Sequence, residues 1–158
     1  MTRVLVIGYG NSLRSDDALG LWAADQLETA LQNQPEVEVR ACQQLTPELA
    51  VQLQEVELAI FIDASIDDAP GVVNCRKVDK DAFMPTQFSH DFTPAKLLAF
   101  TEVLYASAPE AFLFSIGAES FALGEQFSPA VEAALPDLLS RVERKVTAAL
   151  MPAAPETL

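Results

Sequence analysis

The sequence predicts a three-layer α/β/α sandwich built on a mixed five-stranded sheet, in a single domain. Three observations carry this. Short β-branched apolar runs alternate with amphipathic helical stretches, the pattern of strand–helix units. Between the third and fourth runs, Ala64 to Gly71 holds Asp67, Asp68, Pro70 and Gly71, which is turn chemistry with no helix. A parallel crossover needs roughly a dozen residues or more. The fourth strand is therefore expected to run against the third, and the sheet is mixed. Half of the 158 residues are hydrophobic, enough for one sizeable core.

The elements follow in order. Val4 to Ile7 reads as a buried strand, and Gly8 and Gly10 then allow a tight turn. A polar loop carries Asn11, Arg14, Ser15, Asp16 and Asp17. From Ala18 the apolar spacing becomes helical and continues to about Leu31. Val37 to Cys42 alternates as a second strand. Thr46-Pro47 has the form of a helix cap followed by proline, and opens a helix to about Val56. Leu58 to Ile62 is a third strand with Asp63 at its end. Val72 to Val78 (VVNCRKV) is polar enough for an edge strand.

A loop from Asp79 to Phe92 carries the only histidine, His90. Thr93-Pro94 opens the next helix, through Leu104. Ala111 to Ile116 (AFLFSI) is the most apolar strand and belongs inside the sheet. Ser128-Pro129 opens the last helix, which is expected to kink at Pro136 and end near Leu150. The domain is taken as 1–151, with 152–158 a frayed tail.

Composition excludes several classes. A net charge of -13 argues against nucleic acid, because phosphate binding needs clustered Lys and Arg. No apolar run approaches the ~20 residues of a membrane span. A strand begins after two residues, which leaves no room for a signal peptide. Two cysteines without a CxxC suit a reducing cytoplasm and no cysteine-based zinc site.

In open α/β sheets ligands bind beyond the carboxyl ends of the strands. Asp17 follows the first strand, Asp63 ends the third, and His90 lies after the fourth. Two carboxylates and an imidazole suit a borderline divalent metal such as nickel or zinc. Taken singly each has a plainer explanation: Asp16 and Asp17 at a helix start meet its dipole, Asp63 caps a turn, and His90 is a loop residue. Ser89, His90 and Asp91 are too close in sequence to form a catalytic triad. The segment GYGNSL has Leu13 where a dinucleotide loop needs its third glycine, and the second strand ends in Cys42-Gln43-Gln44 with no acidic residue for a ribose.

These residues resemble the hydrogenase maturation endopeptidases. The resemblance rests on Gly8-Tyr9-Gly10-Asn11-Ser12-Leu13, the pair Asp16-Asp17 with Gly20, Asp63 after the third strand, Ser89-His90 ahead of Leu97-Leu98, and Ser128 to Leu139. It spans nearly the whole chain. Where many relatives have glycine after the acidic pair, this chain has Ala18. Where they have a glycine-rich run after the second aspartate, it has Ala64-Ser65-Ile66-Asp67.

The resemblance implies strand order 2-1-3-5-4 with strand four antiparallel. It implies cleavage of a C-terminal extension from the large-subunit precursor of a nickel–iron hydrogenase after nickel insertion. Asp17, Asp63 and His90 then match the metal-contacting positions, with nickel carried by the substrate. Asn11 and Asp16 are expected to contact substrate or to support Asp17 and its loop. Two other classes use the same sheet edge: a nonenzymatic nickel-binding chaperone and a flavodoxin-like small-molecule module.

Overall fold

The computed structural model describes residues 1–80 and 92–152. His90 and the end of the expected tail lie outside that set. The described elements are β1 (Val4–Tyr9), α1 (Leu19–Ala30), β2 (Val37–Cys42), α2 (Ala50–Leu53), β3 (Leu58–Ser65), β4 (Val73–Lys77), α3 (Pro94–Tyr105), β5 (Glu110–Gly117) and α4 (Pro129–Leu150). They form a five-stranded sheet of order β2-β1-β3-β5-β4. β1 pairs in parallel with β2 and β3, β3 pairs in parallel with β5, and β4 runs antiparallel to β5 at the edge. The short segment between Ser65 and Val73 holds no crossover helix; it reverses the chain direction, and β4 pairs antiparallel with β5, one strand beyond β3.

Strand alternation sorts the apolar residues into two layers. Val4, Val6, Ile60, Ile62, Phe114 and Ile116 face α1 and α4, where Leu19, Ala23, Leu27, Val131, Leu135, Leu138, Val142 and Val146 complete the core. Leu5, Ile7, Ala59 and Phe61 face the other way, onto Leu53 of α2 and Leu97 and Leu98 of α3. The α4 residues recur every three or four positions, so one stripe of a 22-residue helix is buried. Each such side chain contributes roughly 1.5–3 kcal/mol on leaving water. The helix is continuous across Pro136.

Three boundaries differ from the sequence reading. The Asp16–Asp17 pair lies in a 3₁₀ turn, Ser15–Ala18, ahead of α1 rather than at an α-helix start. The helix expected over 46–56 is a 3₁₀ turn, Pro47–Leu49, running into the single turn of α2. Thr46 does not cap it: its side chain makes no bond to the first turn. Finally, β3 continues past Ile62 to Ser65, since β5 pairs with it at Asp63↔Ser115, Ala64↔Ile116 and Ser65↔Gly117. Asp63 is thus held inside a strand and not on a turn.

Gly8 needs no turn geometry; it is part of β1. Its lack of a side chain lets α1 approach. A Cβ on Gly8 would run into the Gly20 carbonyl, and a Cβ on Gly20 would run into the carbonyls of Tyr9 and Ile62. The start of α1 therefore rests backbone against backbone on β1 and β3 and brings the Asp17 turn down onto the sheet edge.

Candidate functional site

Gly10, at φ 149°, turns the chain out of β1 in a conformation that L side chains rarely adopt. The loop beyond it is closed by its own polar groups. The Asn11 carbonyl oxygen Oδ1 accepts from the Leu13 N–H at 2.9 Å, and the Asn11 N–H donates to Asp17 Oδ2 at 2.8 Å. Asn11 thereby fixes one oxygen of Asp17.

Asp63 stands on the neighbouring strand, with Oδ1 accepting from the Ala64 N–H at 2.8 Å. Asp17 and Asp63 line one cavity of about 470 Å³ together with Tyr9, Gln43, Gln44 and Phe92. Cavities of about 510, 420 and 410 Å³ lie elsewhere on the surface, but none of these holds a pair of carboxylates at the carboxyl edge of the sheet. Burial pushes the Asp63 carboxyl up to about 7. The charge of Asp17 adds to the rise, while the Ala64 N–H and the Tyr9 hydroxyl oppose it. The Tyr9 hydroxyl is itself pushed up, by burial first and then by the charge of Asp63.

Asp16 faces away from this cavity's lining. It is 0% exposed, and both of its oxygens are engaged. Oδ2 accepts from the N–H groups of Glu119 (2.9 Å) and Ser120 (3.0 Å) and from the Ser128 hydroxyl (2.8 Å); Oδ1 accepts from the Ser128 N–H at 2.7 Å. Burial raises its pKa, but these four donors outweigh that and leave it below the ordinary value. Further bonds zip the same loop to the first: Ser15 N–H to the Gly124 carbonyl, Gly124 N–H to the Leu13 carbonyl, and Ser15 Oγ to the Ala122 carbonyl.

Of the site residues expected from the sequence, Asp17 and Asp63 are brought together, Asn11 braces Asp17, and Asp16 anchors the 118–128 loop. His90 lies outside the described residues. Among the described residues no group of three or more His, Cys, Asp or Glu side chains is arranged to hold a metal ion. Tyr9 was missed. Its signal was the alternation Leu5–Ile7–Tyr9, which puts the ring on the same sheet face as those two core residues. Among the described residues, no helix is long and apolar enough to cross a membrane.

No family model matches the chain, and no curated protein matches it significantly. Solved structures do. The hydrogenase maturating endopeptidase HybD from E. coli has a TM-score of 0.73 at 24% identity, with 94% of each chain covered. The [NiFe] hydrogenase maturation protease HycI from Thermococcus kodakarensis has a TM-score of 0.74 at 19% identity, covering 92% of this chain and 93% of its own. The hydrogenase 2 maturation peptidase from a Thaumarchaeota archaeon has a TM-score of 0.69 at 24% identity, covering 92% and 99%. The mixed sheet, its strand order and its flanking helices are those of the hydrogenase maturation proteases, and the chain has their fold.

Proposed function

We propose that this chain is a hydrogenase maturation endopeptidase, which removes a C-terminal extension from the nickel-loaded large-subunit precursor of a nickel–iron hydrogenase. The observation that carries this reading is the pairing of Asp17 and Asp63 in one cavity at the carboxyl edge of the sheet, on a fold shared with proteins named as such proteases.

Nickel enters as part of the substrate. The two carboxylates with His90 are suited to engage it, since carboxylate and imidazole both bind borderline divalent metals. That contact would seat the scissile peptide against the cavity. Nickel held there would supply polarisation of the peptide carbonyl or of the attacking water; the net reaction adds water across the scissile C–N bond and leaves a new carboxylate and a free amine. Asn11 holds Asp17 in place for this contact, and Asp16 supports it from behind by anchoring the 118–128 loop. The setting is cytoplasmic, where the precursor is matured.

The experiment is incubation of a nickel-loaded precursor with the wild-type chain and with Asp17→Ala, Asp63→Ala and His90→Ala, read by mass spectrometry. Wild type is expected to shorten the precursor, and each folded variant to lose about 100-fold or more in rate. Binding without shortening by wild type would favour a chaperone. Normal cleavage by all three variants would overturn the site. Equal cleavage of nickel-free precursor would overturn the role of the metal.

A further inference from the structure

One buried group next to the site has no partner. Ser115 is 2% exposed, and its Oγ is the only buried side-chain nitrogen or oxygen among the described residues that makes no hydrogen bond. Burying a hydroxyl without a partner is unfavourable, and a strand position inside an apolar sheet offers alanine or valine as obvious substitutes. The position of the hydroxyl gives it a use.

Register places Ser115 directly beside Asp63 on β3 and beside Asn74 on β4. Tyr9 ends β1 one residue beyond the Gly8↔Ile62 pair, so Tyr9, Asp63, Ser115 and Asn74 form a polar row across four strands. Paired residues on neighbouring strands point to the same face, ~5 Å apart. That face is the one that carries Leu113 toward α3, and it is also the face of the candidate cavity. Asp63 takes the Ala64 N–H on one oxygen and has the Tyr9 hydroxyl beside it, and a carboxylate with about four lone-pair sites keeps room for a further donor. Asn74, on the other flank, is half-buried on the edge strand.

We infer that Ser115 is a positioning residue for Asp63: a turn about its Cα–Cβ bond carries Oγ to the Asp63 carboxylate, which it holds in the orientation that faces Asp17. The inference rests on the reading of Asp63 as the functional carboxylate. A hydroxyl in this place adds a further fixed donor behind a ligating group, and such supporting bonds set the direction of the lone pairs left for the ligand.

The test has two arms. In the first, Ser115→Ala and Ser115→Thr are compared with wild type in cleavage of nickel-loaded precursor. Ser115→Ala is expected to lower kcat about tenfold with KM within about twofold, and Ser115→Thr, which keeps the hydroxyl, to restore it. Tm should fall slightly in Ser115→Ala and stay near the wild-type value in Ser115→Thr, because the bond to Asp63 is lost in the first and kept in the second. In the second arm, the ¹³Cγ resonance of Asp63 is recorded on the free chain at a single alkaline pH. It should move in Ser115→Ala and stay near its wild-type place in Ser115→Thr. An unmoved resonance in Ser115→Ala overturns the inference, as does equal loss of kcat in both variants. If wild type does not cleave at all, the proposed function fails, and the resonance alone decides the role of Ser115.

Discussion

Asp16 and Ser128 bind each other twice across 112 residues of sequence. The Ser128 N–H and hydroxyl donate to the two oxygens of Asp16 at 2.7 and 2.8 Å. The same hydroxyl accepts from the Val131 N–H at 3.4 Å and so caps α4. One serine joins the loop after β1 to the start of the longest helix, and the Asp17 turn is built on that joint.

Asp16→Asn should therefore destabilise the fold by about 2–4 kcal/mol at neutral pH, since an amide presents N–H groups to donors that need an oxygen. The folded pKa of Asp16 is lowered, so its contribution is present above its ordinary value of 3.8 and is lost as pH falls through the lower folded value. Denaturant unfolding at several pH values should show the gap between wild type and variant closing in acid. Ser128→Ala should cost about 1–2 kcal/mol by losing both the Asp16 bond and the cap.

Asp63 behaves in the opposite sense. The folded chain keeps its proton up to about pH 7, whereas an unfolded aspartate releases it near 3.8. The stability this contributes is full below the unfolded value and is lost as pH rises through 7. Asp63→Asn keeps an acceptor for the Ala64 N–H and carries no charge at any pH. It should match wild type in stability near pH 4 and exceed it by about 1–3 kcal/mol at pH 8, the half-buried setting moderating the full effect. Thermal melts at the two pH values measure this. A cleavage assay at pH 8 should find the stabilised variant inactive.

Tyr9→Phe removes a hydroxyl that favours the charged form of Asp63. The pKa of Asp63, followed by ¹³C NMR titration, should rise further above 7 in this variant. An unchanged value would mean that the ring acts on Asp63 through burial rather than through its hydroxyl.

Two threonines that look alike in sequence should separate on mutation. Thr93 accepts from the Lys96 N–H at 3.1 Å and caps α3, whereas Thr46 makes no such bond. Thr93→Ala should cost about 1 kcal/mol in chemical denaturation, and Thr46→Ala only a few tenths.

Much of the architecture was legible because it depends on local pattern. The length of the Ala64–Gly71 turn required a reversal before β4, the polar VNCRK run suited an edge, and the apolar β5 run suited the interior; each holds. Ser128 was legible as a cap for the same reason. The helix over 46–56 was overread because Thr-Pro marks a helix start but says nothing of its length, and the chain turns to enter β3 after a single turn of α2.

What the sequence determined by itself is the supply: which residues alternate into which layer, where turns must fall, and that Asp16, Asp17 and Asp63 stand near strand ends. It does so because side-chain direction in a strand or helix follows from position alone. Only the tertiary structure decided how the two adjacent aspartates divide. The 3₁₀ turn points Asp16 inward to donors that arrive from residues 119–128, and leaves Asp17 on the cavity beside Asp63 and Tyr9. That division depends on bonds spanning more than a hundred residues, and on glycines at 8 and 20 that let two backbones meet.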